Sequence, residues 1–260
     1  DGKTDLSVFR PSEGNWYQLR STAGFASVNW GVSSDVIVPG DYDGDNKTDT
    51  AVFRSGSWLV LNSSNNTFTS TGWGVASDTP MAGDFDGDGK TDQAVFRGSN
   101  STWYINKSAG GTQFTTWGAA GDVPMAGDFD GDGKTDLTVY RSGQWLISKS
   151  TGGTQFTNWG AAGDLLVPAD YDGDGKDDLA VFRPSNGTWY ALKSSNGQPV
   201  FITFGQSGDV PVPGDYDGDG KDDQAVYRGG TWYLNRSTAG FSAQAFGVAG
   251  DRAVPKSYIP

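Results

Sequence analysis

The sequence predicts an all-β fold, a six-bladed β-propeller with four antiparallel strands in each blade. Three observations lead to this prediction. A unit of about 43 residues recurs along the whole chain, each copy contains four short strand-like segments between glycine-rich turns, and no segment shows a sustained helical period. A unit of this length is typical of one propeller blade and cannot bury its own apolar face, so the copies are expected to stack and close into a ring.

The repeat is marked by a run of the form Asp-aromatic-Asp-Gly-Asp. A shortened copy of the unit, DGKTDLSVFR, opens the chain. The full run begins at Asp41, Asp84, Asp128, Asp170 and Asp215, at spacings of 43, 44, 42 and 45 residues. We therefore predict one propeller domain over residues 1–260, with repeat units of approximately 1–40, 41–83, 84–127, 128–169, 170–214 and 215–260.

The last repeat shows the four predicted strands of a blade. They are VPVPGDY, DDQAVYR, TWYLNR and FSAQAFG, and apolar and polar residues alternate in QAVYR and TWYLN. The chain begins in a second strand, whereas its end, GDRAVPKSYIP, aligns with a first strand. We expect a first strand from residues 252–258 to join three strands from residues 5–31, because this pairing removes the exposed edges of the sheets.

The loop after each first strand has aspartates at positions 1, 3, 5 and 9 and glycines at positions 4 and 6. Carboxylates at alternate positions of a tight loop face inward, and calcium takes roughly six to eight oxygen ligands at flexible geometry. Position 7 would contribute its backbone carbonyl. The alternatives are a solvated acidic turn without metal, or magnesium. The predicted calcium ligands are Asp41, Asp43, Asp45, Lys47, Asp49, Asp84, Asp86, Asp88, Lys90, Asp92, Asp128, Asp130, Asp132, Lys134, Asp136, Asp170, Asp172, Asp174, Lys176, Asp178, Asp215, Asp217, Asp219, Lys221 and Asp223.

Two loops depart from this pattern. Asn46 replaces the second glycine of the first full loop, although asparagine tolerates left-handed backbone geometry better than most residues. In the closing blade Ser257 stands at position 1, and the half loop at Asp1 lacks positions 1 to 4. We expect the first site to be weakened and the sixth to be empty or weak.

At these loops the sequence resembles the FG-GAP and bacterial VCBS-type repeats of integrin α-chain-like propellers. The resemblance rests on DxDGDGKxD, on the AVFR or AVYR that follows, and on the run FGQSGDVPVPGDYDGDG at residues 204–220. It covers all six units and implies calcium in the hairpin between the first two strands of a blade. Integrin-like propellers usually have seven longer repeats, so their ligand-binding face is not carried over.

Aromatic residues also fall into columns, for which packing between blades is favoured over stacking against a sugar. The two columns that contain tryptophan are Trp16, Trp58, Trp103, Trp145, Trp189 and Trp232, and then Trp30, Trp73, Trp117, Trp159, Phe204 and Phe246. A further column of aspartates is interpreted as turn caps or as partners of a column of arginines. These aspartates are Asp35, Asp78, Asp122, Asp164, Asp209 and Asp251, and the arginines are Arg10, Arg54, Arg97, Arg141, Arg183 and Arg228.

Composition limits the function classes. The chain has no histidine, no cysteine and a net charge of −12, which argues against an enzyme, against nucleic acid and against anionic lipid. No apolar run is long enough to span a membrane. We predict a non-catalytic, secreted calcium-binding propeller at the cell surface, acting as an adhesion or binding scaffold for an unidentified extracellular protein or glycan. The alternatives are a multivalent carbohydrate-binding lectin and a self-associating protomer of a surface filament.

Overall fold

The computed structural model of the protein describes residues 2–254. These residues form 24 strands in six four-stranded antiparallel sheets. They contain no helix that is long and apolar enough to cross a membrane. The fold is a six-bladed β-propeller in which each sheet is one blade, as the repeat pattern predicts.

The strands follow the repeat along the chain. The first twelve are β1 (Leu6–Arg10), β2 (Asn15–Arg20), β3 (Gly24–Asn29), β4 (Val36–Ile37), β5 (Thr50–Arg54), β6 (Ser57–Leu61), β7 (Phe68–Gly72), β8 (Thr79–Gly83), β9 (Asp92–Arg97), β10 (Thr102–Asn106), β11 (Thr112–Thr116) and β12 (Val123–Gly127). The next twelve are β13 (Asp136–Arg141), β14 (Gln144–Ser148), β15 (Thr154–Asn158), β16 (Leu165–Leu166), β17 (Leu179–Arg183), β18 (Thr188–Leu192), β19 (Pro199–Thr203), β20 (Val210–Pro211), β21 (Gln224–Arg228), β22 (Thr231–Arg236), β23 (Gly240–Ala245) and β24 (Arg252–Ala253).

The blades belong to two compact units of three blades each. One unit, from residues 2–29 and 159–254, contains the sheets β24-β1-β2-β3, β16-β17-β18-β19 and β20-β21-β22-β23. The other, residues 30–158, contains β4-β5-β6-β7, β8-β9-β10-β11 and β12-β13-β14-β15. The approximate repeat boundaries stay a prediction.

The two ends of the described chain share one blade. In β24 and β1, Ala253 pairs with Val8 and Arg252 pairs with Phe9, both antiparallel. The predicted joining of a C-terminal first strand to three N-terminal strands is therefore confirmed for residues 252 and 253. Residues 255–258 of that predicted strand lie outside the described residues.

The first strand of a blade varies in length because of proline. Strands β4, β16 and β20 span two residues, whereas β8 and β12 span five. Pro39, Pro168 and Pro213 follow the short strands where Ala82 and Ala126 lie within the long ones. Proline has no N–H to donate to the ladder, so the regular pairing ends before it.

The core of each blade is built around the tryptophan of its third strand. The six tryptophans of this column, from Trp16 to Trp232, are at most 3% exposed. In the blade of β8–β11, the Trp103 ring lies 5.4 Å from the Phe96 ring, with the planes tilted by 53°. The prediction that this column packs the blades is confirmed.

Candidate metal centres

Five acidic loops connect the first and second strands of their blades. In each loop three aspartates place one carboxylate oxygen within 4.8 Å of the other two. The clusters are Asp41, Asp43 and Asp45; Asp84, Asp86 and Asp92; Asp128, Asp130 and Asp136; Asp170, Asp172 and Asp178; and Asp215, Asp217 and Asp223. Several aspartate clusters of this protein could therefore hold metal ions.

The clusters contain three of the four predicted carboxylates. In the loop of Asp84 they are positions 1, 3 and 9, and the position-5 carboxylate has other partners. Asp88 Oδ1 accepts hydrogen bonds from the Lys90 amide and from Ser108 Oγ, both at 2.9 Å. In the first loop the cluster is instead positions 1, 3 and 5. The predicted carbonyl ligand at position 7 stays a prediction.

Glycine allows the loop backbone to wrap around its first carboxylate. The amides of Gly87 and Gly89 donate to Asp84 Oδ1 and Oδ2 at 2.6 and 2.8 Å. Both glycines have left-handed backbone angles, φ of 81° and 85°, which residues with a Cβ rarely adopt. Asn46 adopts the same region at φ 62°, and its amide donates to Asp41 Oδ2 at 2.7 Å.

The position-3 carboxylates test whether a cation fits. Asp86 Oδ2, Asp130 Oδ1, Asp172 Oδ1 and Asp217 Oδ1 are buried atoms without a hydrogen-bond partner among the described residues. A buried polar atom that lacks a partner costs about 1–3 kcal/mol, and more when it is charged. A divalent cation would supply the missing interaction, so the residues fit a hard metal ion in these four loops.

Burial affects the position-9 carboxylates most strongly. Desolvation raises the pKa of Asp178 and of Asp223 to about 6, and the charges of Asp172 and Asp217 add to this effect. Desolvation likewise raises the pKa of Asp92. The clusters that contain Asp92, Asp178 and Asp223 thus each combine a desolvated carboxylate with a neighbouring negative charge.

Neighbouring loops within a unit are joined by backbone hydrogen bonds. The amide at position 8 of one loop donates to the carbonyl at position 1 of the loop before it. The bonds are Thr91 to Asp41 at 2.6 Å, Thr135 to Asp84 at 2.6 Å, Asp222 to Asp170 at 2.7 Å and Thr4 to Asp215 at 2.6 Å. The repeat pattern does not predict these bonds, because each one joins residues of two different repeats.

The half loop at the N-terminus has only part of this arrangement. Asp5 Oδ1 accepts a hydrogen bond from the Ser21 amide at 2.7 Å. Asp1 and Ser257 lie outside the described residues. The prediction of an empty or weak sixth site therefore stays a prediction.

The second aspartate column forms ion pairs and also caps turns, as predicted. Asp35 accepts from Arg54 through two bonds of 2.7 Å, and its Oδ2 also accepts from the Val32 amide at 2.8 Å. The same two-point pair recurs in all six blades. The other pairs are Asp78 with Arg97, Asp122 with Arg141, Asp164 with Arg183, Asp209 with Arg228, and Asp251 with Arg10.

A column of exposed phenylalanines lies on the outermost strands. These rings are Phe25, Phe68, Phe114, Phe156, Phe201 and Phe241, between 56% and 64% exposed. Phe114 lies 6.2 Å from Trp73 of the preceding blade in a stacked arrangement. Trp73 in turn donates its indole N–H to the Tyr104 carbonyl at 3.1 Å, which connects the two blades. The second tryptophan column is thus partly buried by packing, and the phenylalanines are the rings that solvent reaches.

Residues 84–139 and 170–226 match the FG-GAP-like repeat family. These segments contain the four loops with the unpartnered buried carboxylate oxygens. The chain is an FG-GAP-type repeat propeller. Comparison with curated proteins finds no match for this FG-GAP-type propeller.

Solved structures with similar folds belong to proteins of different function. A lectin from Agrocybe aegerita, described as recognising non-reducing terminal N-acetylglucosamine, is 17% identical with a TM-score of 0.57, covering 94% of this chain and 77% of the lectin chain. BBS1N in complex with ARL6DN is 13% identical with a TM-score of 0.59, and the match covers 95% of this chain and 77% of the BBS1N chain. A catalytically inactive virginiamycin B lyase from Staphylococcus aureus, with quinupristin, is 8% identical with a TM-score of 0.57, and the match covers 96% of this chain and 86% of the lyase chain. At these identities the likeness concerns the fold alone.

Proposed function

We propose that this propeller is a calcium-stabilised, non-catalytic binding module that acts outside the cell. The observation that carries the proposal is the buried, unpartnered carboxylate oxygen at position 3 of four loops. Four copies of the same unsatisfied atom, each in a cluster of three aspartates, are best explained by a bound cation.

The ligand chemistry favours calcium over magnesium. The loops offer only oxygen ligands on a flexible turn, whereas magnesium demands near-octahedral geometry and keeps several waters. Extracellular modules of this kind work at calcium concentrations of about 10⁻⁴–10⁻³ M, which is the basis for proposing a secreted location. The chain has no histidine or cysteine. Most of its carboxylates are held in loops or in ion pairs, which supports a non-catalytic role.

Calorimetric titration of the chelator-treated protein tests the calcium sites. We expect saturable calcium binding, weaker magnesium binding, and a melting temperature that rises with calcium. Asp86→Asn should remove one site, since an amide cannot replace the charge. Asp5→Asn in the half loop is the matched control and should leave the stoichiometry unchanged. Absence of calcium binding, together with equal melting temperatures with and without chelator, would contradict the proposal.

A second candidate function is multivalent carbohydrate binding, which the exposed phenylalanine column favours. Sugars stack on aromatic faces, and repeated weak sites on one molecule would raise avidity. A glycan array with calcium and after chelation tests this candidate, and Phe114→Ala and Phe156→Ala together should weaken any binding found. If binding is unaffected by these substitutions, the column is not the glycan site.

The filament alternative stays a prediction, which light scattering over a range of concentrations tests.

A further inference from the structure

A cavity of about 140 Å³ lies between the blade of β16–β19 and the blade of β20–β23. Its floor consists of Ala180, Trp189 and Ala191, which are 1%, 3% and 8% exposed. Val200 and Ile202 of the outermost strand β19 line its side and are partly exposed. The cavity therefore has a buried floor and walls that solvent reaches.

Two departures from the repeat create this cavity. Ala191 stands two residues after the buried tryptophan, where four of the other blades have the larger Val60, Ile105, Ile147 and Leu234. Those four side chains are at most 6% exposed and fill the corresponding space. A smaller side chain at this point leaves volume that the surrounding strands do not fill.

The wall is also more apolar than the corresponding strands of two other blades, β11 and β15. Val200 and Ile202 flank the exposed Phe201, whereas Gln113 and Thr115 flank the corresponding Phe114. Gln155 and Thr157 occupy the same positions beside Phe156. The apolar wall and the small floor residue thus coincide in a single blade.

The polar side-chain atoms of Trp189 and Tyr171 already have hydrogen-bond partners within the protein. Trp189 Nε1 donates to the Phe204 carbonyl at 2.8 Å, and the Tyr171 hydroxyl donates to the Val167 carbonyl at 2.7 Å. These hydrogen bonds fix the two rings, and an occupant of the cavity would contact their apolar surfaces. A cavity of about 150 Å³ lined by apolar side chains accommodates benzene, so the volume suits a group of that size.

The rim adds one positive charge and one amide. Lys193 lines the cavity, and within residues 2–254 it forms no salt bridge. Gln224 accepts a hydrogen bond from Asn235 through its amide oxygen at 2.9 Å, which leaves its NH₂ group as a donor. Two donors at the rim of an apolar cavity suit a carboxylate attached to an apolar body.

We propose that this cavity is a binding site for a small carboxylic acid with a compact apolar body of about the size of benzoate. The apolar body lies on the floor at Trp189 and Ala191, and the carboxylate lies beside Lys193 and Gln224. The proposed site uses no predicted metal ligand and no exposed phenylalanine ring, although its lining includes Tyr171, which lies between Asp170 and Asp172.

Titration of the calcium-loaded protein with benzoate, followed by ¹⁵N NMR, tests the site. We expect saturable shifts of the Trp189 indole and Val200 amide signals. Benzamide, which is neutral and of similar shape, should bind about tenfold more weakly because it lacks the charge. Lys193→Gln should reduce benzoate binding to the level of benzamide, whereas Lys149→Gln, the corresponding change in the blade of β12–β15, should have no effect.

Filling the cavity provides the second arm of the test. Ala191→Ile introduces the residue that Ile105 and Ile147 provide in their blades, and it should abolish benzoate binding. If this variant fails to fold, the double variant Val200→Gln, Ile202→Thr restores the wall found in other blades and should also abolish binding. No benzoate shifts at Trp189, or shifts that persist in the filled variant, would overturn the proposal. Equal affinity for benzoate and benzamide would overturn the assignment of a carboxylate.

Discussion

Arg97 and Asp78 form a two-point ion pair, with Nε to Oδ1 and Nη2 to Oδ2 both at 2.8 Å. The carboxylate side chain is 0% exposed, whereas the guanidinium side chain is 26% exposed. Asp78 Oδ2 also accepts from the Val75 amide at 2.9 Å, so the same side chain holds the turn before β8. A single buried carboxylate, that of Asp78, thus both pairs with an arginine and caps the turn before β8.

Asp78→Ala should lower the free energy of unfolding by about 3 kcal/mol. Loss of one partner from a buried pair typically costs about 3–5 kcal/mol, and the lower end applies because Arg97 keeps access to water. Urea denaturation measures the difference. Glu13→Gln is the control, since Glu13 pairs with Arg10 at the solvent-exposed surface and its loss should lower the free energy of unfolding much less. Equal losses in the two variants would contradict a stabilising role of the buried pair.

Acidification should stabilise the metal-free protein through Asp178 and Asp223. Burial raises the pKa of each carboxyl to about 6 in the folded state, above its value in the unfolded chain. The folded state then binds the proton more tightly, so this contribution is fully present below about pH 4 and is lost as pH rises through 6. Denaturation in chelator at several pH values, compared with Asp178→Asn, isolates the effect.

The matched control for this pH dependence is Asp122. The hydrogen bond from Arg141 lowers the pKa of Asp122, so its contribution has the opposite sign and is lost as pH falls below the usual carboxyl range. Asp122→Asn should therefore change stability most near neutral pH and least in strong acid. If wild-type and Asp178→Asn proteins show the same pH profile in chelator, the desolvation of Asp178 is not a source of instability.

Truncation should lower stability much more in the buried tryptophan column than in the exposed phenylalanine column. Trp103→Ala removes a fully buried ring and should cost about 3–5 kcal/mol. Phe114→Ala removes a ring that is 60% exposed, and should cost about 1 kcal/mol from its contacts with Tyr104 and Trp73. Thermal and urea unfolding measure both variants. A large loss for Phe114→Ala would show that the outer column serves packing.

Comparing Gly89→Ala with Gly197→Ala should distinguish the cost of backbone strain from an effect on metal binding. Gly89 has φ of +85°, and an added Cβ would meet nothing within 4 Å, so the cost is about 1–2 kcal/mol of left-handed strain. Gly197 has φ of +68° and the same open space, but it lies outside the acidic loops. Both alanine variants should lose similar stability in chelator, and calorimetry should show weakened calcium binding only for Gly89→Ala.

The acidic loops were predictable as candidate metal sites because their ligands are close in sequence. A spacing of one residue between Asp84 and Asp86 already places both carboxylates in one turn. The structure adds that Asp88 is hydrogen bonded to Ser108 and is not part of the cluster. Ser108 follows β10, two strands after the loop of Asp88. The hydrogen bond between Ser108 and Asp88 therefore depends on how the strands of the blade fold together.

By itself, the sequence determined the blade number, the strand order and the closing pair of β1 and β24, because each follows from a local repeat of known length. Only the tertiary structure decided which aromatic column is exposed and where a blade fails to fill its space. Phe114 is exposed and Trp103 is buried although both are aromatic residues of short strands. Ala191 leaves a cavity because residues from β17, β19 and β21 surround it without filling it. Such properties belong to contacts between strands and blades, which a single repeat does not contain.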